Sequence, residues 1–239
     1  MAHRGASYDA PENTLEAFQL GLDQGADAIE CDVHLSSDNE LVVIHDSDLQ
    51  RIAGVDRAVK EMTLAELKAL DVGIPALAEV LDLVPEDRRI FIEVKMGLSS
   101  IEPLKDLLNK TSLLMSQVVL MEFDMETVIS MKKSFPDAEV LWLNDFPLLS
   151  FPWQRKRALN QILNTTLEFG LDGINLQNIS QLNARFIRSC HKHNLSCYCW
   201  TVDDPDRASC LIKKGIDGLA SNRPGWMREQ LNFSNPRSW

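Results

Sequence analysis

Short apolar runs alternate with amphipathic stretches along the whole chain, and few folds accommodate this alternation. Strands are predicted at residues 27–33, 41–44, 90–94, 117–121, 138–143, 172–176, 196–200 and 216–219. Helices are predicted at residues 14–24, 63–70, 76–84, 101–110, 124–134, 154–169, 181–193, 204–214 and 224–231. Such an order of strands and helices is typical of an α/β fold, with a parallel sheet covered by helices. At the first helix, Asn13 is the predicted N-cap, with Glu16 completing a capping box.

One joint recurs where a helix ends and the next strand begins. Residues 25–29, 170–174 and 215–219 each place a glycine two residues before an aspartate, and residues 194–197 repeat the joint with Asn in place of glycine. Glycine tolerates the left-handed conformation that ends many helices. Four similar joints indicate one repeated strand–helix unit.

The strand count distinguishes two architectures. Eight strands result if His3 is the tail of a first strand and residues 41–44 form a side hairpin, and eight units in 239 residues match a (β/α)8 TIM barrel. A doubly wound open sheet is the alternative, but no G-x-G-x-x-G precedes the first helix. Residues 46–75 interrupt the rhythm and are predicted to pass over one end of the barrel. Residues 1–231 are expected to form a single domain, followed by a polar tail at 232–239.

The balance of charged residues restricts the kinds of partner that the protein can bind. Lys and Arg total 24 against 35 Asp and Glu, so the formal net charge is −11. This balance argues against a nucleic-acid partner and against docking on anionic lipid. It does not exclude an anionic ligand, because a few local cations or a metal reverse the field of one cleft. Oligomeric state is not predicted.

Cysteine content and hydropathy predict a cytoplasmic protein without a stable membrane anchor. The apolar runs at 77–84 and 113–121 are too short to cross a bilayer, and no apolar stretch follows the first charges as in a signal peptide. The five cysteines form an odd set without a Cys-x-x-Cys pair, which is typical of buried thiols in a reducing compartment.

Carboxylates follow two of the predicted strands. Glu30 and Asp32 alternate with Cys31, so they share one face of their strand, and Glu93 and Lys95 share a face in the same way. Unpaired carboxylates are costly to bury inside a barrel. A divalent cation such as Mg²⁺ or Ca²⁺ would offset that cost, as would salt bridges to neighbouring Arg or Lys side chains.

Histidines also follow two strand ends. His3 comes after the stub of the first strand, and His45 comes after residues 41–44. Two histidines near a set of carboxylates can act as general base and general acid near neutral pH. His34, His191 and His193 are interpreted as structural or surface residues, and Glu12 is a candidate partner for Arg4 or a histidine across the mouth of the barrel.

Together these residues resemble the glycerophosphodiester phosphodiesterase family. The resemblance covers residues 2 to about 225 and rests on six motifs in the family's order: His3-Arg4-Gly5, Pro11-Glu12-Asn13-Thr14, Glu30-Cys31-Asp32-Val33, His45-Asp46, Glu93-Val94-Lys95 and Trp200-Thr201-Val202-Asp203. It implies a TIM barrel with a small insertion after strand 2, here residues 33–75. It also implies hydrolysis of small glycerophosphodiesters to glycerol 3-phosphate and an alcohol.

The resemblance assigns roles residue by residue. Glu30, Asp32 and Glu93 match the metal ligands, and His3 and His45 match the acid–base pair. Arg4 and Lys95 match phosphate-binding positions, and Trp200 matches an aromatic side chain beside the glycerol. Two alternatives stay open: a lysophospholipase D-type phosphodiesterase, and a non-catalytic phosphate-binding barrel.

Two departures from the family pattern stand out. Glu122 occupies a position where relatives usually carry Ser, and residues 220–222 replace a usual Thr-Asp pair. A carboxylate at position 122 would add negative charge near the site.

Overall fold

The computed structural model describes residues 1–146 and 151–232. Its strands are β1 (Ala2–His3), β2 (Ala28–Leu35), β3 (Leu41–Val43), β4 (Arg89–Val94), β5 (Val118–Glu122), β6 (Glu139–Asn144), β7 (Gly173–Gln177), β8 (Ser196–Trp200) and β9 (Gly218–Leu219). Its α-helices are α1 (Leu15–Asp23), α2 (Gln50–Ala53), α3 (Leu64–Lys68), α4 (Leu77–Leu81), α5 (Ile101–Leu108), α6 (Met125–Ser134), α7 (Pro152–Glu168), α8 (Ala184–His191), α9 (Pro205–Lys213) and α10 (Pro224–Gln230). Short 3₁₀ turns cover Val59–Glu61, Gly97–Ser100 and Met115–Gln117.

All strands except β3 form one parallel sheet in the order β1-β2-β4-β5-β6-β7-β8-β9. β3 pairs antiparallel with β2, as predicted for a side hairpin. Hydrogen bonds also join the two edges of this sheet, at β1 and just after β9. His3 N–H donates to the Ser221 carbonyl at 3.0 Å, and Ser221 N–H donates to the Met1 carbonyl at 3.1 Å. The α/β prediction is confirmed.

Contacts across the sheet show how strongly it curls. Phe91 on β4 and Tyr198 on β8 lie four strand spacings apart in the order, which is about 19 Å in a flat sheet. Their ring centroids are nevertheless 5.1 Å apart in an edge-to-face arrangement. Arg89 likewise reaches Tyr198 Oη at 3.2 Å. The sheet therefore encloses these side chains.

The enclosed face changes character along its length. Its middle is apolar, and Arg89 pairs with Glu139 at the amino ends of β4 and β6. The apolar cluster is formed by Ala28, Phe91, Val119, Met121, Leu141, Leu143 and Tyr198. The opposite face of β2, with Ile29, Cys31 and Val33, packs into the core beneath the helices. Alternation along β2 thus directs Glu30 and Asp32 to the same side as Ala28, towards the carboxyl ends of the strands.

The recurring joint adopts the predicted conformation. Gly25, Gly170, Gly215 and Asn194 all have positive φ angles, at 84°, 63°, 86° and 59°. Each lies within three residues of the end of a helix. The left-handed conformation ends the helix and turns the chain towards the next strand.

The predicted start of the first helix is wrong by one residue. Thr14, not Asn13, is the N-cap of α1, and its side chain accepts a hydrogen bond from Ala17 N–H at 3.1 Å. Asn13 has a φ of 58° and donates from Nδ2 to Asp32 Oδ2 at 2.9 Å. Its amide is thus directed into the sheet interior rather than to the helix.

Residues between β3 and α4 have a small core of their own. It contains Val42, Ile44, Leu49, Val59, Met62, Leu67 and Ile74. α3 in this segment begins with a capping box between Thr63 and Glu66. This local core stabilises the segment that carries His45 and Arg51.

The thiol prediction is correct for four of five cysteines. Cys31, Cys190, Cys197 and Cys199 are free and buried, whereas Cys210 is exposed. Among the described residues, no helix combines the length and the apolarity needed to cross a bilayer.

Replacing Phe91 by Ala tests the enclosed packing. Phe91 is 2% exposed, so we expect its loss to lower the free energy of unfolding by about 3–5 kcal/mol in urea denaturation. The matched control is Phe169→Ala, because Phe169 is 42% exposed and its replacement should change stability by less than about 0.5 kcal/mol. Equal effects in the two variants would contradict the enclosed arrangement.

Candidate active site

The first, second and fourth strands bring four predicted site residues to one edge of the sheet. His3 is paired in register with Glu30, and Asp32 with Glu93. In parallel strands the carboxyl ends meet at the same edge, which is where α/β folds commonly place their chemistry. Strand register is therefore the reason that residues far apart in the chain meet here.

Three carboxylates form a buried cluster. Oxygens of Glu30, Asp32 and Glu93 all lie within 4.8 Å of one another. The three residues are 2%, 1% and 9% exposed. Such a set of hard oxygen donors is chemically suited to one divalent cation.

Burial and mutual repulsion change the ionisation of this cluster. Burial, and then the charges of Asp32 and Glu93, raise the pKa of Glu30 well above its ordinary value. Burial and the charge of Asp32 raise the pKa of Glu93 to about 7. Burial acts in the same direction on Asp32, but Lys95 and Arg4 outweigh it and hold the pKa of Asp32 below its ordinary value.

Two cations contact the cluster. Lys95 Nζ lies 3.1 Å from Asp32 Oδ1 and also contacts Glu93 Oε1. Arg4 Nε lies 3.2 Å from Asp32 Oδ2, and Arg4 N–H donates to Glu30 Oε2 at 2.9 Å. Arg4 adopts a left-handed φ of 56°, which turns its N–H towards Glu30. The salt bridges anticipated as an alternative to a metal are thus present around the same carboxylates.

The His3 ring is oriented by a chain of hydrogen bonds. Asn222 donates from Nδ2 to Asp203 Oδ2 at 2.6 Å, and Asn222 Oδ1 lies 2.7 Å from His3 Nδ1. A carboxylate only accepts, so the Asn222 amide is oriented with Oδ1 towards His3, and His3 Nδ1 must carry the proton. Nε2 then has the free lone pair, and it lies 4.0 Å from Glu30 Oε2. Burial, followed by the charge of Arg4, lowers the pKa of His3.

His45 is held differently. Its Nδ1 lies 2.7 Å from Asp46 Oδ1, and Asp46 Oδ2 accepts from Arg51 Nε at 2.5 Å. The hydrogen bond from Arg51, with His45 contributing, lowers the pKa of Asp46 to about 2. The His34 ring, predicted to be structural, lies with Nε2 at 3.1 Å from the His45 carbonyl and can donate to it.

Glu12 links the two halves of the site. One oxygen, Oε1, lies 3.2 Å from Arg4 and 2.7 Å from Arg51. The predicted partnership of Glu12 with Arg4 is confirmed. Arg51 was not anticipated, because it lies in α2, a helix of four residues that is too short for a periodic pattern to indicate the direction of its side chains.

The predicted residues line one narrow cleft, with Asp32 buried beside it. The lining comprises His3, Arg4, Glu30, His45, Glu93, Lys95, Met121, Phe123, Leu143, Asn175, Trp200 and Ala220. Trp200 and Phe123 meet edge to face at 5.9 Å and form an apolar wall opposite the charged groups.

Glu122 does not line this cleft. Its Oε1 accepts from the backbone N–H of Phe123 at 2.6 Å and of Asp124 at 3.4 Å. Burial raises the pKa of Glu122. The extra carboxylate therefore contacts its own turn, while its charge still helps to raise the pKa of Glu93, as expected of added negative charge near the site.

Comparison with known proteins identifies the family. The model of the glycerophosphoryl diester phosphodiesterase family matches residues 3–226. The chain belongs to this family. As a member, this phosphodiesterase is a phosphoric diester hydrolase, an enzyme.

Individual relatives align with nearly the whole chain of this phosphodiesterase. A glycerophosphodiester phosphodiesterase of Caldanaerobacter subterraneus is 30% identical, covering 94% of this chain and 93% of its own. YhdW of Bacillus subtilis is 31% identical, covering 98% of each chain. The solved structure of a glycerophosphodiester phosphodiesterase from Thermotoga maritima has a TM-score of 0.80 at 26% identity, covering 96% of each chain.

The raised pKa of Glu93 leads to a pH-dependent prediction. Between the unfolded value of 4.5 and about 7, the folded state binds more protons at Glu93 than the unfolded state does. Ionisation of Glu93 therefore destabilises the fold as pH rises through this window. In metal-free buffer, Glu93→Gln should gain stability relative to wild type from pH 5 to pH 8, on the order of 2–3 kcal/mol.

The measurement is urea denaturation of both proteins in EDTA across that range. Glu86→Gln, at an exposed glutamate, is the matched control for loss of a carboxylate. A stability difference between Glu93→Gln and wild type that does not change with pH would contradict the raised pKa.

Proposed function

We propose that this phosphodiesterase hydrolyses small glycerophosphodiesters to glycerol 3-phosphate and an alcohol, using one divalent cation and the two histidines. One observation carries the proposal: a single cleft of a family member holds two histidines, an arginine and a lysine beside three clustered carboxylates. The names of its relatives support the same substrate class.

The carboxylate cluster is the proposed cation site. Glu30, Asp32 and Glu93 would hold Mg²⁺ or Ca²⁺, since their oxygens are close and buried. Among the described residues, Arg4 and Lys95 are the arginine and lysine in contact with these three carboxylates. Burial and mutual repulsion raise the pKa values of Glu30 and Glu93, and this cost of burying the charges supports a cation at the cluster. When bound, the cation would neutralise phosphate charge and stabilise the pentacoordinate transition state.

Arg4 and Lys95 are the proposed phosphate-binding groups. Both line the cleft beside the carboxylates, with side chains 21% and 19% exposed. An arriving phosphate would find donors from both side chains already held in place by Asp32. Trp200, on the apolar wall, would pack against the carbon atoms of the glycerol.

We assign the two histidines different roles from their hydrogen-bond partners. His3 donates its Nδ1 proton to the neutral Asn222 amide, and burial lowers its pKa, so its Nε2 lone pair is suited to accept a proton from the nucleophile. His45 Nδ1 lies beside the Asp46 carboxylate, which would compensate the positive charge of the ring when it carries two protons. His45 is therefore suited to protonate the leaving alcohol.

We also propose a closed barrel, an insertion after its second strand and a cytoplasmic location. The strongly curled, end-bridged sheet supports a (β/α)8 barrel formed by one domain, residues 1–231. The hairpin and the small core after β2 support an insertion at residues 33–75. The four buried free thiols support a cytoplasmic location. Of the predicted tail at 232–239, all but Asn232 lies outside the described residues.

Turnover tests the proposal directly. Glycerophosphocholine or glycerophosphoethanolamine with Mg²⁺ or Ca²⁺ should yield glycerol 3-phosphate, and EDTA should abolish the release. Activity restricted to lysophosphatidylcholine would instead indicate a lysophospholipase D. Binding of glycerol 3-phosphate without turnover of any diester would indicate a non-catalytic barrel. Full activity in EDTA would refute the metal requirement.

Metal binding can be measured without turnover. Because Glu30 and Glu93 have raised pKa values, a cation must displace protons when it binds below about pH 7. Calorimetry in buffers of different ionisation enthalpy should show proton release at pH 6 and less at pH 8. Glu93→Gln should weaken Ca²⁺ or Mg²⁺ binding at both values, whereas the exposed-site variant Glu86→Gln should bind like wild type.

Leaving-group dependence separates the two histidines. His3→Ala and His45→Ala should each lower kcat by roughly 10²–10⁴-fold on glycerophosphocholine. On a nitrophenyl phosphodiester, whose leaving group departs without a proton, His45→Ala should recover most of its activity and His3→Ala should not. The reverse pattern would exchange the two roles, and a His3→Ala enzyme within about threefold of wild type would exclude His3 from catalysis.

A further inference from the structure

Exposed apolar side chains concentrate at the catalytic end of the sheet. Among the described residues, the large exposed apolar side chains at that end are Tyr8, Leu98, Phe123, Phe151 and Trp153, all in segments that follow a parallel strand. Only Leu114 and Phe169 lie in the segments that lead into strands at the opposite end. The asymmetry points to a partner that meets the end where the cleft opens.

The most exposed pair lies at the start of α7. Phe151 and Trp153 are 58% and 63% exposed, and their rings stack with centroids 6.5 Å apart and an interplanar angle of 15°. Lys156 and Arg157 are also exposed, and they lie three and four residues after Trp153 on the same helix face. We call these four residues the aromatic–basic patch.

The electrostatics of this segment oppose those of the whole chain. The chain has a net charge of −11, but residues 146–167 contain three basic residues and no Asp or Glu. The flanking acids in the chain are Asp145 and Glu168, and Asp124 and Glu126 lie in the neighbouring connection after β5. Since charges separated by more than about 8 Å are largely screened at physiological ionic strength, the local cluster rather than the net charge governs contact with a surface.

We propose that the aromatic–basic patch docks this protein on the surface of an anionic phospholipid bilayer. Aromatic rings insert at the level of the lipid headgroups, and neighbouring lysines and arginines contact the anionic phosphates. This combination favours a lipid surface over a protein partner, because two stacked, exposed rings lie at the start of a helix beside two exposed basic side chains. Docking in this orientation directs the catalytic cleft towards the membrane.

Vesicle sedimentation tests the proposal, and it needs no substrate turnover, so its outcome is independent of the proposed function. Wild type should sediment with vesicles of phosphatidylglycerol and phosphatidylcholine, and less in raised salt. It should remain in the supernatant with phosphatidylcholine alone. A basic residue near an anionic surface contributes a factor of about five to binding, so Lys156→Gln with Arg157→Gln should lower the partition coefficient about 25-fold.

Aromatic and control variants complete the experiment. Phe151→Ala with Trp153→Ala should lower vesicle binding at least about tenfold. Phe169→Ala with Lys192→Gln removes one exposed ring and one exposed basic charge at the opposite end, so it makes one change of each kind and should bind like wild type. Each variant should keep its circular dichroism spectrum. The proposal is overturned if wild type does not sediment with anionic vesicles, as expected for a protein partner, or if both patch variants bind as well as the control.

Discussion

The repulsion among three buried carboxylates is the constraint around which the catalytic end is organised. Glu30, Asp32 and Glu93 face the interior because strand alternation leaves them no other side, and parallel register places Asp32 beside Glu93. Lys95 and Arg4 offset part of the charge, but the pKa values of Glu30 and Glu93 remain raised. Burial of the apolar cluster on the same face of the sheet offsets part of this cost.

That constraint also explains the network surrounding the cluster. Arg4 contacts Asp32 and Glu12, and Glu12 contacts Arg51, which in turn contacts Asp46 beside His45. A chain of alternating charges thus connects the cluster to the second histidine, so the two proposed proton-transfer groups share one electrostatic framework. Removing a member would leave its neighbours unpaired in a partly buried position, where an unmatched charge is costly.

The sequence was sufficient to predict the parts of the site that depend on local periodicity. Alternation and strand ends correctly brought both histidines, Glu30 and Glu93 to one cleft, with Asp32 buried beside it. The positive φ of Gly25 confirmed the repeated joint. Residues whose roles depend on distant partners could not be found in this way. Asn222 meets His3 across nearly the whole chain, and Asn13 resembles a helix cap until its amide is seen to contact Asp32.

Composition averages over surfaces that act separately, so a net charge of −11 does not by itself decide how one patch meets a lipid surface. Screening restricts each charge to its immediate surroundings, so Lys156 and Arg157 act on a surface that touches them, whatever the charge elsewhere. Acidic groups far from the patch then have a second effect. Their repulsion from an anionic surface disfavours every other approach, so the net charge that opposes binding as a whole would help to select the one orientation in which the cleft faces the membrane.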